Sequence, residues 1–269
     1  MIDVIQAVEL PRGVRLPYVE QGDPSGVPVV LLHGITDSWH SFEGVLPHLP
    51  RSIHAFALTQ RGHGDASRPA TGYRPQDFAA DVAAFLDALD LERAVIAGHS
   101  MGGYVAQAFA LDYPERTQGL VLAATCADLQ GNPVVTEFWN SAVSQLTDPI
   151  DPQFVREFQE STIARPVPQA FFETAVQESL KVPARVWRAA FEGLLETDLS
   201  AEISRVKSPT LILWGDRDAY FPLSGQETIA EAIRGAQLVI YRGAGHALHW
   251  EEPARFAADL ADFAEKLAG

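Results

Sequence analysis

The sequence predicts an α/β protein: a mostly parallel central sheet flanked by helices, with a helical segment inserted into it. Three observations carry that prediction. Near-continuous apolar runs, Val27 to Leu32 and Ile53 to Leu58, have the pattern of strands covered by helices on both faces. Helical periodicity falls between such runs, with Phe78, Val82, Phe85, Leu86 and Leu89 at three- and four-residue spacing. Between Asp128 and Lys207, strand-like runs cease altogether.

From the N-terminus, Ile2 to Leu10 and Val14 to Glu20 read as two strands joined by Pro11-Arg12-Gly13, a turn-forming cluster that predicts an antiparallel hairpin at a sheet edge. Val27 to Leu32 and Ile53 to Leu58 follow as buried strands, with a helix expected over Ser38 to Leu49 between them. Pro75 to Leu91 is a helix with proline in its first turn. Ala94 to Ala97 is a strand, Tyr104 to Tyr113 a helix, and Gly119 to Ala124 a further strand of the parallel series. Prolines 133, 149, 152, 166, 168 and 183 then punctuate short helical windows rich in Phe and Trp. Alternation resumes with strands at Pro209 to Trp214 and Gln237 to Tyr241, and Glu251 to Leu267 closes the chain as a helix beginning near Pro253. The expected division is a core of residues 1–127 and 206–269 and a helical lid of residues 128–205.

A chain of 269 residues with 47% hydrophobic content fits one large domain, or one domain with an insertion, and builds a sizeable core. The net charge of −15, with scattered Lys and Arg, argues against a nucleic-acid partner. Met1 to Leu10 lacks the basic and apolar regions of a secretory signal, and no stretch approaches the ~20 apolar residues of a membrane span. With the lone Cys126 unable to form an internal disulfide, a cytoplasmic location is expected, with no membrane partner. No His or Cys spacing suggests a metal site, and nothing implies a cofactor. The oligomeric state is not legible.

Chemistry concentrates in Gly98-His99-Ser100-Met101-Gly102, between a strand and a helix. A serine on so tight a turn is held in a strained conformation with its hydroxyl presented above the sheet, and flanking glycines remove colliding side chains. A serine hydroxyl needs a base and a group that orients the base. Gly215-Asp216-Arg217-Asp218 supplies carboxylates at the end of one strand, and Gly243-Ala244-Gly245-His246 brings an imidazole at the end of the next. His249 competes as the base. Gly245 before His246 marks a loop residue, whereas Trp250 after His249 marks a buried turn.

The order Ser100, Asp218, His246 resembles that of the α/β-hydrolase superfamily, as do His33-Gly34-Ile35, Arg61-Gly62-His63-Gly64, the Gly98 to Gly102 elbow, Gly215 to Asp218 and Gly243 to Glu252. The resemblance covers nearly the whole chain. It implies an α/β-hydrolase fold with Ser100 as nucleophile, His246 as base and Asp218 as acid, since the last position of Gly-x-x-Asp carries the acid. A different architecture would place the acid after the strand ending near Ala124, where Asp128 stands. It further implies an oxyanion hole made by the backbone N–H groups of Ile35 and Met101. His99 and His33 are expected to support the loops, His33 bracing the oxyanion turn, and His63 to be loop scaffold. Phe138, Trp139 and Trp187 are candidates to line the substrate pocket.

Serine at position 100 separates the chain from relatives such as haloalkane dehalogenases and epoxide hydrolases, which need aspartate there. The implied activity is hydrolysis of a small-molecule carboxylic ester through an acyl-enzyme. Lactonase and cofactor-free haloperoxidase or perhydrolase activity share the machinery. Carbon–carbon bond hydrolases often carry Asn before the serine, where this chain has His99. A ligand receptor built on a hydrolase frame is the alternative from another class.

Overall fold

The computed structural model describes residues 4–268, so Ile2 and Asp3 of the first expected strand lie outside the described residues. A hairpin of β1 (Ile5–Leu10) and β2 (Val14–Gln21) pairs antiparallel, and Pro11–Gly13 forms its turn. Next come β3 (Val27–Leu32), β4 (Ile53–Leu58), β5 (Ala94–His99), β6 (Thr117–Ala123), β7 (Thr210–Gly215) and β8 (Gln237–Tyr241). One eight-stranded sheet results, in the order β1-β2-β4-β3-β5-β6-β7-β8, with β2 antiparallel to β4 and every later pair parallel.

The central strands are apolar throughout because successive side chains enter two different cores. Val30, Leu32, Ile96, Leu120 and Leu122 join one cluster, while Val29, Leu31, Val95, Val121 and Ala123 join the other. Helices α1 (Pro75–Ala88) and α2 (Met101–Asp112) cover the first face with Phe78, Val82, Phe85, Val105 and Phe109. Asp77 accepts a hydrogen bond from the Arg74 N–H at the start of α1 (3.0 Å), and Pro75 occupies a position whose N–H would be unpaired anyway.

Four helices lie between β6 and β7: α3 (Pro133–Ser141), α4 (Pro152–Ser161), α5 (Gln169–Leu180) and α6 (Ala184–Leu195). The prolines start them. Pro133 and Pro152 follow capping residues Asn132 and Asp151, whose side chains accept from the amides of Val134, Val135 and Gln153. After β7 come α7 (Leu223–Ala232), which sequence reasoning did not delimit, the short α8 (Leu248–Glu251) and α9 (Pro253–Lys266). Phe256, Leu260 and Phe263 of α9 cover the second face.

One expectation needs correction. The helix over Ser38 to Leu49 is instead two 3-10 turns, Trp39–Phe42 and Leu46–His48, because Gly44 and Pro47 interrupt a continuous helical ladder. The closing helix begins at Pro253, as expected, and Leu248–Glu251 precede it as a separate short helix. No helix among the described residues is long and apolar enough to cross a membrane.

Candidate active site

Ser100 sits between β5 and α2 with φ 53° and ψ −115°, a conformation that side-chain-bearing residues rarely adopt. The glycines around it leave no alternative. A Cβ on Gly98 would lie 2.0 Å from the Gly102 carbonyl oxygen, and one on Gly102 would lie 2.2 Å from that of Leu32. Two hydrogen bonds pin the turn: the Ser100 N–H donates to Ala123 O, and Thr125 Oγ1 donates to Ser100 O, each at 3.0 Å. Thr36 after β3 and Ala124 after β6 also have positive φ, so backbone strain gathers at the C-terminal ends of the central strands.

The loop after β7 buries the Asp218 side chain completely. Its Oδ1 accepts from the amides of Tyr220 (2.8 Å) and Phe221 (3.1 Å), and its Oδ2 accepts from His246 Nδ1 at 3.0 Å. With Nδ1–H donating to Asp218, Nε2 of the neutral imidazole keeps its lone pair free. Asp216 does different work. It accepts from the Gly243 N–H at 2.5 Å, which pins the loop carrying His246, and that bond holds its carboxyl below the usual range. Asp128 accepts from the Gln130 amide at 2.7 Å within its own turn.

Three further histidines, His249, His33 and His63, serve as supports within the fold. His249 is buried on α8 with Nε2 3.0 Å from Ser41 Oγ, and burial pushes its pKa down to about 3. His33 Nε2 accepts from the Gln60 N–H at 3.0 Å, so its Nδ1–H donates to Gly34 O at 2.7 Å and braces the turn at Ile35. His63 contacts Arg61 O through Nδ1 at 2.8 Å, and burial lowers its pKa to about 4. The loop carrying it is locked to α1 by Arg61, whose guanidinium grips Asp81 at 2.6 and 2.5 Å.

Ser100 and His246 line the same cavity, of about 600 Å³ counting its mouth. Gly34 and Ile35 form one wall, and Leu129, Val135, Phe138, Phe158, Phe191 and Leu194 form much of the apolar remainder. Met101 is buried as the first residue of α2, where an amide has no partner within the helix. Of the three aromatic residues expected to line a pocket, only Phe138 reaches the cavity. Trp187 is fully buried in the core behind Phe154 and Phe158, and Trp139 stacks on Phe191 at 5.8 Å. Their helices turn these two rings into the aromatic cluster, so both are corrected from pocket to packing.

Sequence reasoning missed Asp37 and Gln159, which also line the cavity. Gln159 Nε2 donates to Asp37 Oδ1 at 3.1 Å, and Ser41 Oγ donates to Oδ2 at 3.3 Å. Burial nevertheless pushes the Asp37 pKa up to about 7. A carboxylate three residues after Gly34 was a signal in plain view, whereas Gln159 arrives from α4 and had none.

The arrangement suits nucleophilic attack on a carbonyl. Residues 27–253 match the family described as alpha/beta hydrolase fold. The chain is 30% identical to 2-hydroxymuconate semialdehyde hydrolase of Pseudomonas sp. (strain CF600) over 93% of this chain and 90% of that protein. Among solved structures it resembles a thermophilic esterase from Thermogutta terrifontis, with TM-score 0.84 and 26% identity over 98% of this chain and 99% of the other. It also resembles an N-acyl homoserine lactone degrading enzyme, with TM-score 0.81 and 26% identity over 96% and 100%.

Proposed function

The chain belongs to the alpha/beta hydrolase fold family, and from that premise we propose that it is a serine hydrolase of small carboxylic esters. The single observation that carries this reading is the hydrogen bond from His246 to a threefold-bonded Asp218, with His246 and the strained Ser100 on one cavity.

In this reading Ser100 Oγ attacks the ester carbonyl while its proton passes to His246 Nε2, whose Nδ1–H stays on the ionised Asp218. Negative charge on the carbonyl oxygen is taken by the amides of Ile35 and Met101, each such donor being worth about 3 kcal/mol to the transition state. Collapse of the tetrahedral adduct breaks the C–O bond, and the departing alkoxide takes the proton from His246. A water then attacks the acyl-enzyme, its proton moves to His246, and the acid leaves as Ser100 regains its hydrogen. No cofactor takes part.

Residues 128–205 act as a lid over a core of residues 1–127 and 206–269, because Phe138, Phe158, Phe191 and Leu194 from that segment close the apolar side of the cavity. Lactones are cyclic esters and suit the same steps; the likeness to a lactone-degrading enzyme favours this as the second reading. A panel of esters and lactones of increasing acyl length, run on wild type and Ser100→Ala, tests the proposal. Repeated turnover by wild type and a loss of at least about 10⁴-fold in the variant are expected. Full activity in the variant overturns the assignment, and a single acylation without turnover points to a receptor.

A further inference from the structure

The hydrolytic steps leave one corner of the cavity unused. Asp37 stands there with two of its roughly four acceptor positions occupied, by Gln159 and Ser41, and no Lys or Arg pairs with it among the described residues. His99 is its neighbour. The Nε2–H of His99 donates to the His246 carbonyl at 3.1 Å, which makes Nδ1 an acceptor, and that atom is buried without a partner. The two acceptors flank Gly34: a side chain beginning there would start 2.9 Å from His99 Nδ1 and 3.3 Å from Asp37 Oδ2. Asp37, His99 and Gly34 all line the cavity beside Ser100.

A buried acceptor without a donor, as His99 Nδ1 is, is unfavourable, and across the gap from the spare acceptor capacity of Asp37 it calls for a donor from outside the chain. A hydroxyl suits the gap best, since it can donate to either acceptor and can also accept from Asp37 when the carboxyl is protonated. An ammonium group can only donate. We infer that Asp37 and His99 Nδ1 form a subsite for a hydroxyl group of the substrate, so that the preferred esters or lactones carry one on the acyl chain. This rests on the serine hydrolase reading. His99 directly precedes Ser100, and Gly34 directly precedes Ile35, so the subsite adjoins the reacting carbonyl and selects a hydroxyl at the 2- or 3-position.

The test compares kcat/KM for ethyl butyrate, ethyl 2-hydroxybutyrate and ethyl 3-hydroxybutyrate in wild type, Asp37→Leu and Gly34→Ala. Wild type is expected to favour one hydroxy ester by about tenfold or more, the range of a hydrogen bond to a charged group. Asp37→Leu removes an acceptor and Gly34→Ala fills the gap; each that folds is expected to bring the ratio close to one. A residue with a merely structural role would lower both rates together and leave the ratio intact. A wild-type ratio near one overturns the subsite whatever the variants do, as does a preference that survives both substitutions. Absence of turnover on all three esters and on the lactone panel overturns the hydrolase reading instead, and the subsite with it.

Discussion

Replacing Asp37 with Asn is expected to change how stability depends on pH. The carboxyl is buried, and its pKa stands at about 7 against 3.8 for an ordinary aspartate. Below the lower value both folded and unfolded chains hold the proton. Between the two values the unfolded chain releases it while the folded chain keeps it, so stability falls as pH rises, by about 1.4 kcal/mol per pH unit. Above about 7 the loss is complete, and the shift of some three units amounts to on the order of 4 kcal/mol. Asparagine cannot ionise and escapes this loss. Any constant effect of the substitution, such as a weakened bond to Ser41 or Gln159, cancels in the difference between two pH values.

The groups facing Asp37 are His99 and His246 at the sheet edge, His249 through Ser41, and Glu178 on α5. His249 is held neutral by burial, and His99 lies well below its ordinary value, so neither changes charge across this window. The assay is urea unfolding of both proteins at pH 5.5 and pH 8. Asp37→Asn is expected to gain about 2 kcal/mol on wild type between them, the part of the linkage that falls in that window. A difference that stays flat to within a few tenths of a kcal/mol would show that Asp37 ionises as it does in water, and would refute the argument from burial.

Asp218→Asn keeps the shape of its loop but stabilises the wrong tautomer of His246, and is expected to lower kcat about 10⁴-fold with little change in KM; steady-state kinetics on a p-nitrophenyl ester checks it. Gly102→Ala places a methyl 2.2 Å from a backbone oxygen of β3 and is expected to cost more than the ~1–3 kcal/mol of ordinary overpacking, seen as a lower melting temperature together with lost activity. Phe138→Ala and Trp187→Ala separate pocket from packing. The first is expected to alter KM across a series of acyl lengths, and the second to lose about 3–5 kcal/mol of stability in denaturant melts.

The sheet was legible because its strands announce themselves locally. Val27–Leu32, Ile53–Leu58 and Gln237–Tyr241 end where their apolar runs end. The elbow was legible because steric exclusion at Gly98 and Gly102 acts over a few residues of chain. Ser38 to Leu49 misled because its apolar residues have helical spacing while Gly44 and Pro47 forbid a continuous helix.

Which candidates meet across the fold is a different kind of fact. Asp216 and Asp218 are two residues apart, and only packing decides that one pins Gly243 while the other accepts from His246. Trp139 and Phe138 are adjacent on α3, yet helical geometry sends one ring to the cavity and the other onto Phe191. Asp37 stands in plain view three residues after Gly34, but its raised pKa exists only because α4, α5 and the sheet edge together shut out water. Local sterics and hydrophobic periodicity are therefore written in the sequence, whereas burial and partnership are sums over distant segments and belong to the tertiary structure.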